Sequence, residues 1–309
     1  MTTRAIYTIA GAALAVLVAV AAGCGGGGDA GGVITADGSS TVGPFVTRAA
    51  ADFKADQDVD VTVGISGTGG GFDRFCVGET DLSNASRPID EDEVATCEEN
   101  GVEFVEFRVA TDALTNVVNT SNDWVTCLTV DQLSAIWKPG SKVSNWNQVD
   151  DSFPDVSMKL YGAGTDSGTF DYFTDVINGE EGASRTDYQA TENDNVTVQG
   201  VSGERGGLGY FGFSYYEDNQ TTLKALQVDG GDGCVTPSVE AAQNDTYTPL
   251  SRPLFVYVKQ ASFDENEDVR AFIRFMFDNN ETIATEARFV PLNQEQIDEG
   301  VAKLEGAGA

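Results

Sequence analysis

The feature that most limits the fold of this chain is an alternation of short β-type segments with helical patterns, from Val33 onward. Segments rich in valine and phenylalanine, which favour strands, are Val59–Ile65, Phe104–Val109, Leu114–Val118, Met158–Tyr161 and Leu254–Val258. Helical patterns cover Pro44–Lys54, Thr129–Trp137, Gly168–Ile177, Pro237–Gln243, Val269–Phe277 and Gln294–Leu304. Pro44 and Pro237 suit first-turn positions, and Thr129 suits an N-cap. This alternation predicts an α/β fold with parallel sheets covered by helices.

The first two dozen residues do not share that pattern. Arg4 is the only charged residue before Asp29, and Ile6–Ala22 is an almost unbroken apolar run that ends in small residues. This composition is typical of a secretory signal rather than a domain helix. No apolar run of about 18 residues follows it, so the sequence predicts a soluble body. Residues 1–23 are therefore a predicted signal peptide, and residues 24–32 a flexible, glycine-rich tether.

The predicted signal ends in Ala21-Ala22-Gly23-Cys24, which resembles the lipobox of bacterial lipoproteins. The resemblance implies that Cys24 carries a lipid and is the first residue of the mature protein. Ala21 departs from the pattern, because this position usually holds a larger aliphatic residue. The alternative is an ordinary signal peptide or membrane anchor with an incidental cysteine.

Four further cysteines most simply form two disulfides in an exported chain: Cys76, Cys97, Cys127 and Cys234. Three pairings are open. Cys76 with Cys97 is the local choice and leaves Cys127 with Cys234. The chain has no C-x-x-C pair and no histidine, so we expect neither a metal site nor a cofactor.

The charge of the chain excludes several partners. It has 49 acidic and 18 basic residues, with a net charge of −31. Such acidity argues against nucleic acids and anionic membrane surfaces as partners. Any anion that binds has to be held by local dipoles, because the long-range field repels it.

Four segments rich in serine, threonine and glycine lie at predicted junctions between strands and helices: Ala36–Pro44, Gly64–Gly71, Asp81–Pro88 and Tyr161–Phe170. Each places hydroxyls and accessible N–H groups at or near a helix N-terminus. Such ends have unpaired donors and a partial positive charge, so they bind anions without lysine. Four of them could enclose one tetrahedral oxyanion, with Arg87 as the best placed positive charge. The alternative is that they are ordinary N-caps.

Enzymatic interpretations meet obstacles. A nucleophilic Ser66 or Ser167 would need a base, and without histidine only a Ser-Lys arrangement remains. No lysine lies in the four junctions. The P-loop pattern is absent, and the G-x-G-x-x-G at Gly207–Gly212 is typical of a strand interior with no strong helix after it. The sequence therefore favours a binding protein over an enzyme.

Taken together, the motifs resemble the phosphate-binding protein of high-affinity phosphate ABC transporters, which is periplasmic or lipid-anchored. The resemblance runs through GSSTVGPF, GISGTGGGFDRFCVGETDLSNASRPI, LYGAGTDSGTFDYF, ASRTDYQATENDNVTVQGV and SRPLFVYV, in the family's order. It implies a type II periplasmic binding protein fold, with two α/β lobes that close on a ligand. Lobe one would be 33–111 and 253–309 and lobe two 112–252, with hinges near Thr111–Leu114 and Ser251–Leu254.

The resemblance also implies a set of ligand-binding residues. Ser40 and the backbone of Thr41 match the first loop, Ser66 with Gly67 or Thr68 matches the second, and Ser167, Gly168 and Thr169 match a helix start in lobe two.

Two positions depart from one well-known branch of this family. Ser86 stands where that branch has an aspartate that accepts the ligand's proton, and Ala163 stands where it has an arginine. We therefore expect Arg87, or else Arg185, to supply the positive charge. Asp166 or a bound water would then accept the ligand's proton.

These observations predict a lipid-anchored, monomeric solute-binding protein on the outer face of the cytoplasmic membrane or in the periplasm. It would capture inorganic phosphate and deliver it to a membrane-embedded ABC permease. The alternatives are a binding protein for sulfate or arsenate, a secreted Ser-Lys hydrolase, and a surface protein of the same fold that serves in sensing or adhesion.

Overall fold

The structure, a computed structural model, describes residues 33–307; the predicted signal peptide (1–23), the tether (24–32) and Cys24 lie outside the described residues. Its strands are β1 (Ile34–Gly38), β2 (Val61–Val63), β3 (Leu82–Ala85), β4 (Phe104–Asn119), β5 (Cys127–Thr129), β6 (Lys159–Ala163), β7 (Gln189–Thr191), β8 (Gly207–Gly212), β9 (Leu223–Ala225), β10 (Gln227–Asp229), β11 (Cys234–Val235) and β12 (Ser251–Lys259). Its helices are α1 (Gly43–Gln57), α2 (Thr68–Phe75), α3 (Glu91–Glu99), α4 (Val130–Trp137), α5 (Gly168–Asn178), α6 (Asp194–Gly203), α7 (Phe213–Asn219), α8 (Val239–Gln243), α9 (Gln260–Glu265), α10 (Glu267–Asp278), α11 (Asn280–Glu286) and α12 (Gln294–Ala307). Between residues 33 and 307, none of the helices is both long and apolar enough to span a membrane.

Two sheets organise these elements. The larger has the order β2-β1-β3-β12-β4-β8-β6-β7, with β9 also paired to β4, and the smaller has the order β11-β10-β5. β1 is parallel to β2 and β3, and β6 is parallel to β7 and β8. β12 and β4 instead pair antiparallel with each other and with β3 and β8. The prediction of parallel sheets was therefore wrong for the centre of the large sheet, where two long strands connect two parallel ends.

The strand β4 links the two ends of the large sheet. The sequence predicted two strands here, at 104–109 and 114–118, but one strand of 16 residues covers both. The polar residues Thr111 and Asp112 interrupt the apolar pattern, yet both are paired with β12, at Pro253 and Arg252. β4 pairs with β12 as far as Ala113 and with β8 from the next residue onward. The polar pair Thr111–Asp112 thus marks the point where β4 passes from one end of the large sheet to the other. We call this the crossing point, and β4 and β12 the crossing strands.

Two main hydrophobic cores lie on either side of this crossing. The first draws its buried side chains from residues 34–110 and 254–304, and the second from residues 114–250. In the second core, the ring of Trp137 meets Phe173, Tyr188 and Tyr210 edge-on, at centroid distances of 5.7, 5.4 and 5.0 Å. Edge-to-face contacts of this kind stabilise a core beyond simple burial.

Local capping signals explain where several helices begin. Thr129 caps α4 as predicted, since its side chain accepts a hydrogen bond from the Gln132 N–H, and Pro44 lies in the first turn of α1. The prediction for Pro237 was wrong. Ser238 caps α8 by accepting a hydrogen bond from the Ala241 N–H at 3.0 Å, so Pro237 precedes the helix.

The disulfides have the pairing in which Cys76 bonds to its nearer neighbour Cys97 and leaves Cys127 with Cys234. Cys76 is bonded to Cys97, 21 residues away, and Cys127 is bonded to Cys234, 107 residues away. The first bond joins the end of α2 to α3, and the second joins β5 to β11 within the small sheet.

Candidate anion-binding cleft

A cleft of about 650 Å³ lies at the start of β12. Its lining residues form two walls and a floor. The first wall is Ser39–Thr41, Gly67–Gly69 and Ser86–Pro88; the second wall is Gly168, Asp171, Tyr172, Asp175, Val176 and Glu181; the floor is Thr248, Pro249 and Ser251–Pro253. The first wall comes from the part of the chain that builds the first core, and the second wall from the part that builds the second core.

Three helices have their N-terminal ends at the cleft. α1 begins two residues after Thr41, α2 begins at Thr68, and α5 begins at Gly168. First-turn N–H groups have no partner within a helix, and the helix dipole adds about half a positive charge at that end. Such ends bind oxyanions. In a chain with a net charge of −31, these local donors are what makes an anion site feasible.

The loop between β1 and α1 brings two hydroxyls to the first wall. Ser39 is buried, and its Oγ accepts a hydrogen bond from the Val42 N–H at 3.3 Å, so this side chain shapes the turn. The predicted ligand residues Ser40 and Thr41 both line the cleft. Ser40 is exposed, whereas Thr41 is half-buried and accepts a hydrogen bond from Arg252 at 3.1 Å.

A buried carboxylate supports the first wall from behind. Asp37 accepts hydrogen bonds from the N–H groups of Gly38, at 2.7 Å, and Ser66, at 3.0 Å, and it forms an ion pair with Arg74. Burial opposes the charge, but hydrogen bonds from Ser66, Gly38 and Arg74 lower the pKa of Asp37. Gly38 has a φ of 138°, and a Cβ there would lie 2.2 Å from the Asn84 carbonyl oxygen. The predicted ligand residue Ser66 therefore belongs to this support and does not line the cleft.

Thr68 and Ser86 connect two segments of the first wall. Their hydroxyl oxygens are 3.1 Å apart, and the Ser86 N–H donates to Thr68 Oγ1 at 3.3 Å. Both predicted residues line the cleft, beside the glycines that precede and follow Thr68. The segment after β3 is thereby held against the start of α2.

Arg87 also lines the cleft, but its charge is already paired. Its two terminal nitrogens each lie 2.8 Å from an oxygen of Glu93, and one of them is 3.1 Å from Asp90. The hydrogen bonds to Glu93 raise the pKa of Arg87. This bidentate pairing leaves Arg87 at the edge of the cleft with its charge largely compensated.

Arg252 is a cleft residue that sequence reasoning missed. Its guanidinium donates to Thr41 Oγ1 at 3.1 Å and to Asp112 Oδ2 at 3.2 and 3.3 Å. It also lies 3.8 Å from the centre of the Tyr172 ring, a cation–π contact. Arg252 therefore contacts the first wall, the second wall and the crossing strand at once.

The partner of Arg252 is a buried carboxylate. Asp112 is only 7% exposed, and its ladder position on β4 is directly opposite Arg252 on β12. Burial raises the pKa of Asp112, and the nearby Arg252 offsets this only in part. The pair anchors the arginine at the point where both long strands cross between the two cores.

On the second wall, the residues of the predicted Ser-Gly-Thr segment have different structural roles. Ser167 caps α5, because its Oγ accepts a hydrogen bond from the Thr169 N–H at 3.2 Å. Gly168 is the member of this segment that lines the cleft. A Cβ on residue 168 would lie 2.9 Å from Thr41 Oγ1, so the absence of a side chain lets the two walls approach each other.

The rest of the second wall is acidic. Asp171, Asp175 and Glu181 all line it. Burial raises the pKa of Asp171, as does the charge of Glu181, while Arg252 acts in the opposite direction. A half-buried carboxylate at the side of an anion cleft can accept a hydrogen bond from the O–H of a protonated anion and repel a fully ionised one.

Two further predicted residues, both considered for the charge chemistry of the site, also lie outside the cleft lining. Asp166 is exposed, does not line the cleft, and has its N–H 3.4 Å from Glu192 Oε1. Arg185 is buried outside the cleft, where it donates to the Ile136 carbonyl at 3.0 Å and pairs with Asp187. Its role is to join segments around the second core.

Comparisons with known proteins add to this geometry. A family model described as a PBP superfamily domain matches residues 25–280. Protein SphX of Synechocystis sp. is 46% identical over 270 residues, which are 86% of this chain and 80% of SphX. The phosphate-binding protein PstS of Staphylococcus saprophyticus is 38% identical over 291 residues, which are 91% of this chain and 89% of that protein.

Two solved structures of phosphate-related binding proteins are also similar to this chain. A possible phosphate binding protein from Planctomyces limnophilus is 43% identical, with a TM-score of 0.84 over 90% of this chain and 99% of that one. An ABC-type phosphate transport receptor from Vibrio cholerae is 23% identical, with a TM-score of 0.65 over 83% of this chain and 99% of that one, and shows the same fold.

Proposed function

We propose that this chain captures inorganic phosphate outside the cell and delivers it to an ABC permease. The chain belongs to the PBP superfamily of two-lobed solute-binding proteins. The predicted fold class is confirmed by the family match and by the similar structures. The relatives are binding proteins of phosphate transporters, which confirms the prediction that the chain is not an enzyme. What this chain itself binds is our inference from the cleft.

The observation that carries the proposal is the meeting of three helix N-termini and Arg252 in one cleft. Phosphate has four oxygens around one centre, and it needs donors from several directions. Neutral donors from both walls, together with one guanidinium, suit such an anion. We assign this role to Ser40, Thr41, Thr68, Gly168 and Arg252, with Ser86 supporting Thr68.

Arg252 supplies the positive charge in this proposal. Arg87 is compensated by Glu93, and Arg185 lies outside the cleft. Arg252 is also paired, with Asp112, but it reaches Thr41 from the floor and stays within the lining. Binding an anion would therefore add a second negatively charged partner, besides Asp112, to a guanidinium that is already oriented.

Asp171 takes the place of Asp166 as the acceptor for the ligand's proton. Asp166 is exposed and outside the lining, whereas Asp171 lines the second wall near Arg252. Sulfate has no proton to donate near neutral pH, so an unmatched acceptor in its complex costs about 1–3 kcal/mol. We propose that Asp171 favours phosphate over sulfate in this way.

The same proposal assigns the cleft to the gap between two lobes. We place lobe one at 33–111 and 253–309 and lobe two at 112–252, with hinges near Thr111–Leu114 and Ser251–Leu254. The two separate cores and the crossing strands β4 and β12 support these bounds. Closing the cleft around the anion is then a hinge motion coupled to binding.

Export and anchoring rest on the sequence. The apolar run before Cys24 and the lipobox-like AAGC favour a lipid-anchored protein whose tether, 24–32, holds the folded body near the membrane. A functional monomer fits a protein that presents one cleft to a permease.

Calorimetry tests the proposal directly. The mature chain is titrated with phosphate, arsenate and sulfate at two pH values. We expect a tight one-to-one phosphate isotherm and little or no heat from sulfate. Equal heats from sulfate and phosphate would favour the broader oxyanion alternative. No heat from any of the three anions would overturn the proposal.

A further inference from the structure

The hydrogen bonds of the Arg252 guanidinium occupy one of its edges. Nε donates to Asp112 Oδ2 at 3.3 Å, and Nη2 donates to the same oxygen at 3.2 Å and to Thr41 Oγ1 at 3.1 Å. Within residues 33–307, the part of the chain that the structure describes, Nη1 forms no hydrogen bond. The Arg252 side chain is 20% exposed and lines the cleft. Nη1 is therefore the nitrogen that remains for an anion in the cleft.

The plane of the guanidinium is restricted as well as its edge. The Tyr172 ring covers one face, with its centre 3.8 Å from the guanidinium carbon. A planar guanidinium stacks well on an aromatic face, and the attraction increases as both groups are removed from water. Tyr172 is only 4% exposed. The contact therefore limits the rotation of the guanidinium out of its plane.

The Tyr172 ring is itself held at both ends. Its backbone lies in α5, the helix whose first residue, Gly168, is on the second wall. Its hydroxyl donates to the carbonyl of Pro249, on the floor, at 2.7 Å. Turning the ring aside would break this hydrogen bond and leave a buried carbonyl without it, which is unfavourable. The ring is thus a rigid surface beneath the arginine.

Without this surface, Arg252 has competing partners close by. Asp171, the residue before Tyr172, lines the same wall, and the charge of Arg252 lowers its pKa against the effect of burial. Asp175, one turn further along α5, also lines the cleft. A guanidinium that is free to rotate could pair with either carboxylate, and such a pair would compete with an anion for the charge.

We propose that Tyr172 is a positioning residue for anion binding: it fixes the plane of the Arg252 guanidinium so that Nη1 faces the anion. This inference rests on the proposed function. The simpler role is that of a core residue, since Tyr172 belongs to the second core together with its neighbour Phe173. A core residue contributes to stability, whereas a positioning residue contributes to affinity through Arg252.

Calorimetry with phosphate on three single variants distinguishes these roles. Tyr172→Leu removes the ring, so phosphate affinity should fall about 5- to 30-fold, the range of a cation–π contact removed from water. Tyr172→Phe keeps the ring and loses only the hydroxyl, so its loss should be about 2- to 3-fold. If Tyr172→Leu does not fold, Tyr172→Met, which adapts to irregular core space, replaces it with the same expected loss.

Phe173→Leu is the matched control. Phe173 is 1% exposed, follows Tyr172 in α5 and stacks on Tyr210 with the ring centres 3.8 Å apart, so it is a core aromatic residue away from Arg252. This variant should lower stability in urea unfolding and leave phosphate affinity unchanged. A loss of affinity as large as that of Tyr172→Leu would show that damage to the core explains both, and would overturn the inference.

A double variant tests whether Tyr172 acts through Arg252. In the Arg252→Gln background, Tyr172→Leu should cause no further loss of phosphate affinity, because no guanidinium is left to orient. Losses that multiply in the double variant would overturn the inference. Equal phosphate affinities in Tyr172→Leu and the unsubstituted chain would overturn it as well.

Crystal structures grown without phosphate separate this inference from the proposed function. Arg252 should keep its bonds to Asp112 and Thr41 in Tyr172→Phe, and it should lose the bond to Thr41 in Tyr172→Leu. If the unsubstituted chain binds no phosphate, the proposed function fails, while this comparison still decides whether the ring positions the arginine. An Arg252 side chain in the same place in both variants would contradict the positioning role.

Discussion

The first wall of the cleft presents hydroxyls, glycine N–H groups and an arginine that Glu93 compensates. The second wall presents one glycine, a tyrosine, a valine and three carboxylates. Both walls begin a helix at the cleft, so both offer N–H donors. They differ in what surrounds those donors. In our proposal the first wall holds the anion from several sides, and the carboxylates of the second wall select which anion binds.

Arg252 stands between the two walls. It donates to Thr41 on one side, stacks on Tyr172 on the other, and is fixed by Asp112 below. This position explains how a chain with a net charge of −31 can bind an anion beside an acidic wall. The local guanidinium and helix ends dominate at contact distance, since long-range repulsion is screened within about 10 Å in salt.

The largest effect is expected from removing the charge between the walls. Arg252→Gln keeps a hydrogen-bonding side chain but loses the charge-assisted bond, which is worth about 1.5–3 kcal/mol. Phosphate affinity should fall roughly 10- to 150-fold by calorimetry. Arg87→Gln is the comparison, because Glu93 already pairs with that arginine, and its loss should be smaller. A larger loss at Arg87 than at Arg252 would reverse our assignment of the charge.

The second-largest effect is expected from adding a side chain at Gly168, where the two walls come close to each other. Gly168→Ala places a methyl group 2.9 Å from Thr41 Oγ1, a contact that is relieved either by moving the walls apart or by rotating Thr41 away from Arg252. Overpacking of this kind costs about 1–3 kcal/mol, so phosphate affinity should fall about 10-fold. Gly203→Ala is the matched control, since a Cβ there has open space within 4 Å. Equal affinities in the two variants would show that the walls do not need to approach at this point.

A third effect concerns selectivity. Asp171→Asn removes the acidic acceptor, so sulfate should bind better and the preference for phosphate should shrink about 10-fold. Glu181 and Arg252 are the charged groups that act on Asp171. Because burial and the charge of Glu181 raise the pKa of Asp171, its charge is lost at a higher pH than that of an ordinary aspartate as the solution is acidified. Discrimination against sulfate should therefore weaken at acidic pH in the unsubstituted chain and show no such change in Asp171→Asn. An unaltered selectivity would assign proton acceptance to another group.

The smallest effect on binding is expected from removing the disulfides, because their loss should lower stability more than phosphate affinity. Cys76–Cys97 joins the end of α2, a helix that begins at the first wall, to α3, whereas Cys127–Cys234 lies in the small sheet. Replacing Cys76 and Cys97 by serine should weaken phosphate binding about 2- to 3-fold and cost about 3 kcal/mol of unfolding free energy.

Replacing Cys127 and Cys234 by serine should leave affinity unchanged but cost more stability, about 5 kcal/mol, because the loop it closes is longer. Urea unfolding and calorimetry on both double variants measure these effects. A larger loss of phosphate affinity in the Cys127/Cys234 variant than in the Cys76/Cys97 variant would show that the first disulfide does not support the site.

Local features of the cleft could be predicted from the sequence, and long-range ones could not. The glycine and hydroxyl junctions carry their own signal, so Ser40, Thr41, Thr68 and Gly168 were found before the structure. The role of Arg252 depends on Thr41, which is 211 positions away, and on its ladder partner Asp112. A signal was present, since Arg252 lies in the predicted hinge Ser251–Leu254, just before the last predicted strand, but only the structure shows that its side chain reaches Thr41 and the cleft.

Pairing and position together argue against both predicted arginines, since Glu93 compensates Arg87 and Arg185 lies outside the cleft lining. Arg87 and Arg185 have the same chemistry as Arg252, and sequence position favoured them because they lie in or near the motifs. Glu93 and Asp187, which neutralise them, are close along the chain, but nothing in the sequence says that those side chains fold back. The continuity of β4 was missed for a related reason, since Thr111 and Asp112 are buried by pairing rather than by being apolar.

The central claim is that phosphate sits between the two walls and is held by Arg252. A crystal structure of the mature chain grown with phosphate tests it most directly. We predict tetrahedral density within hydrogen-bond distance of the Arg252 guanidinium and the Gly168 N–H, with Thr41 on the opposite side. Density for phosphate at any other place, with Arg252 bonded only to Asp112 and Thr41, would contradict it.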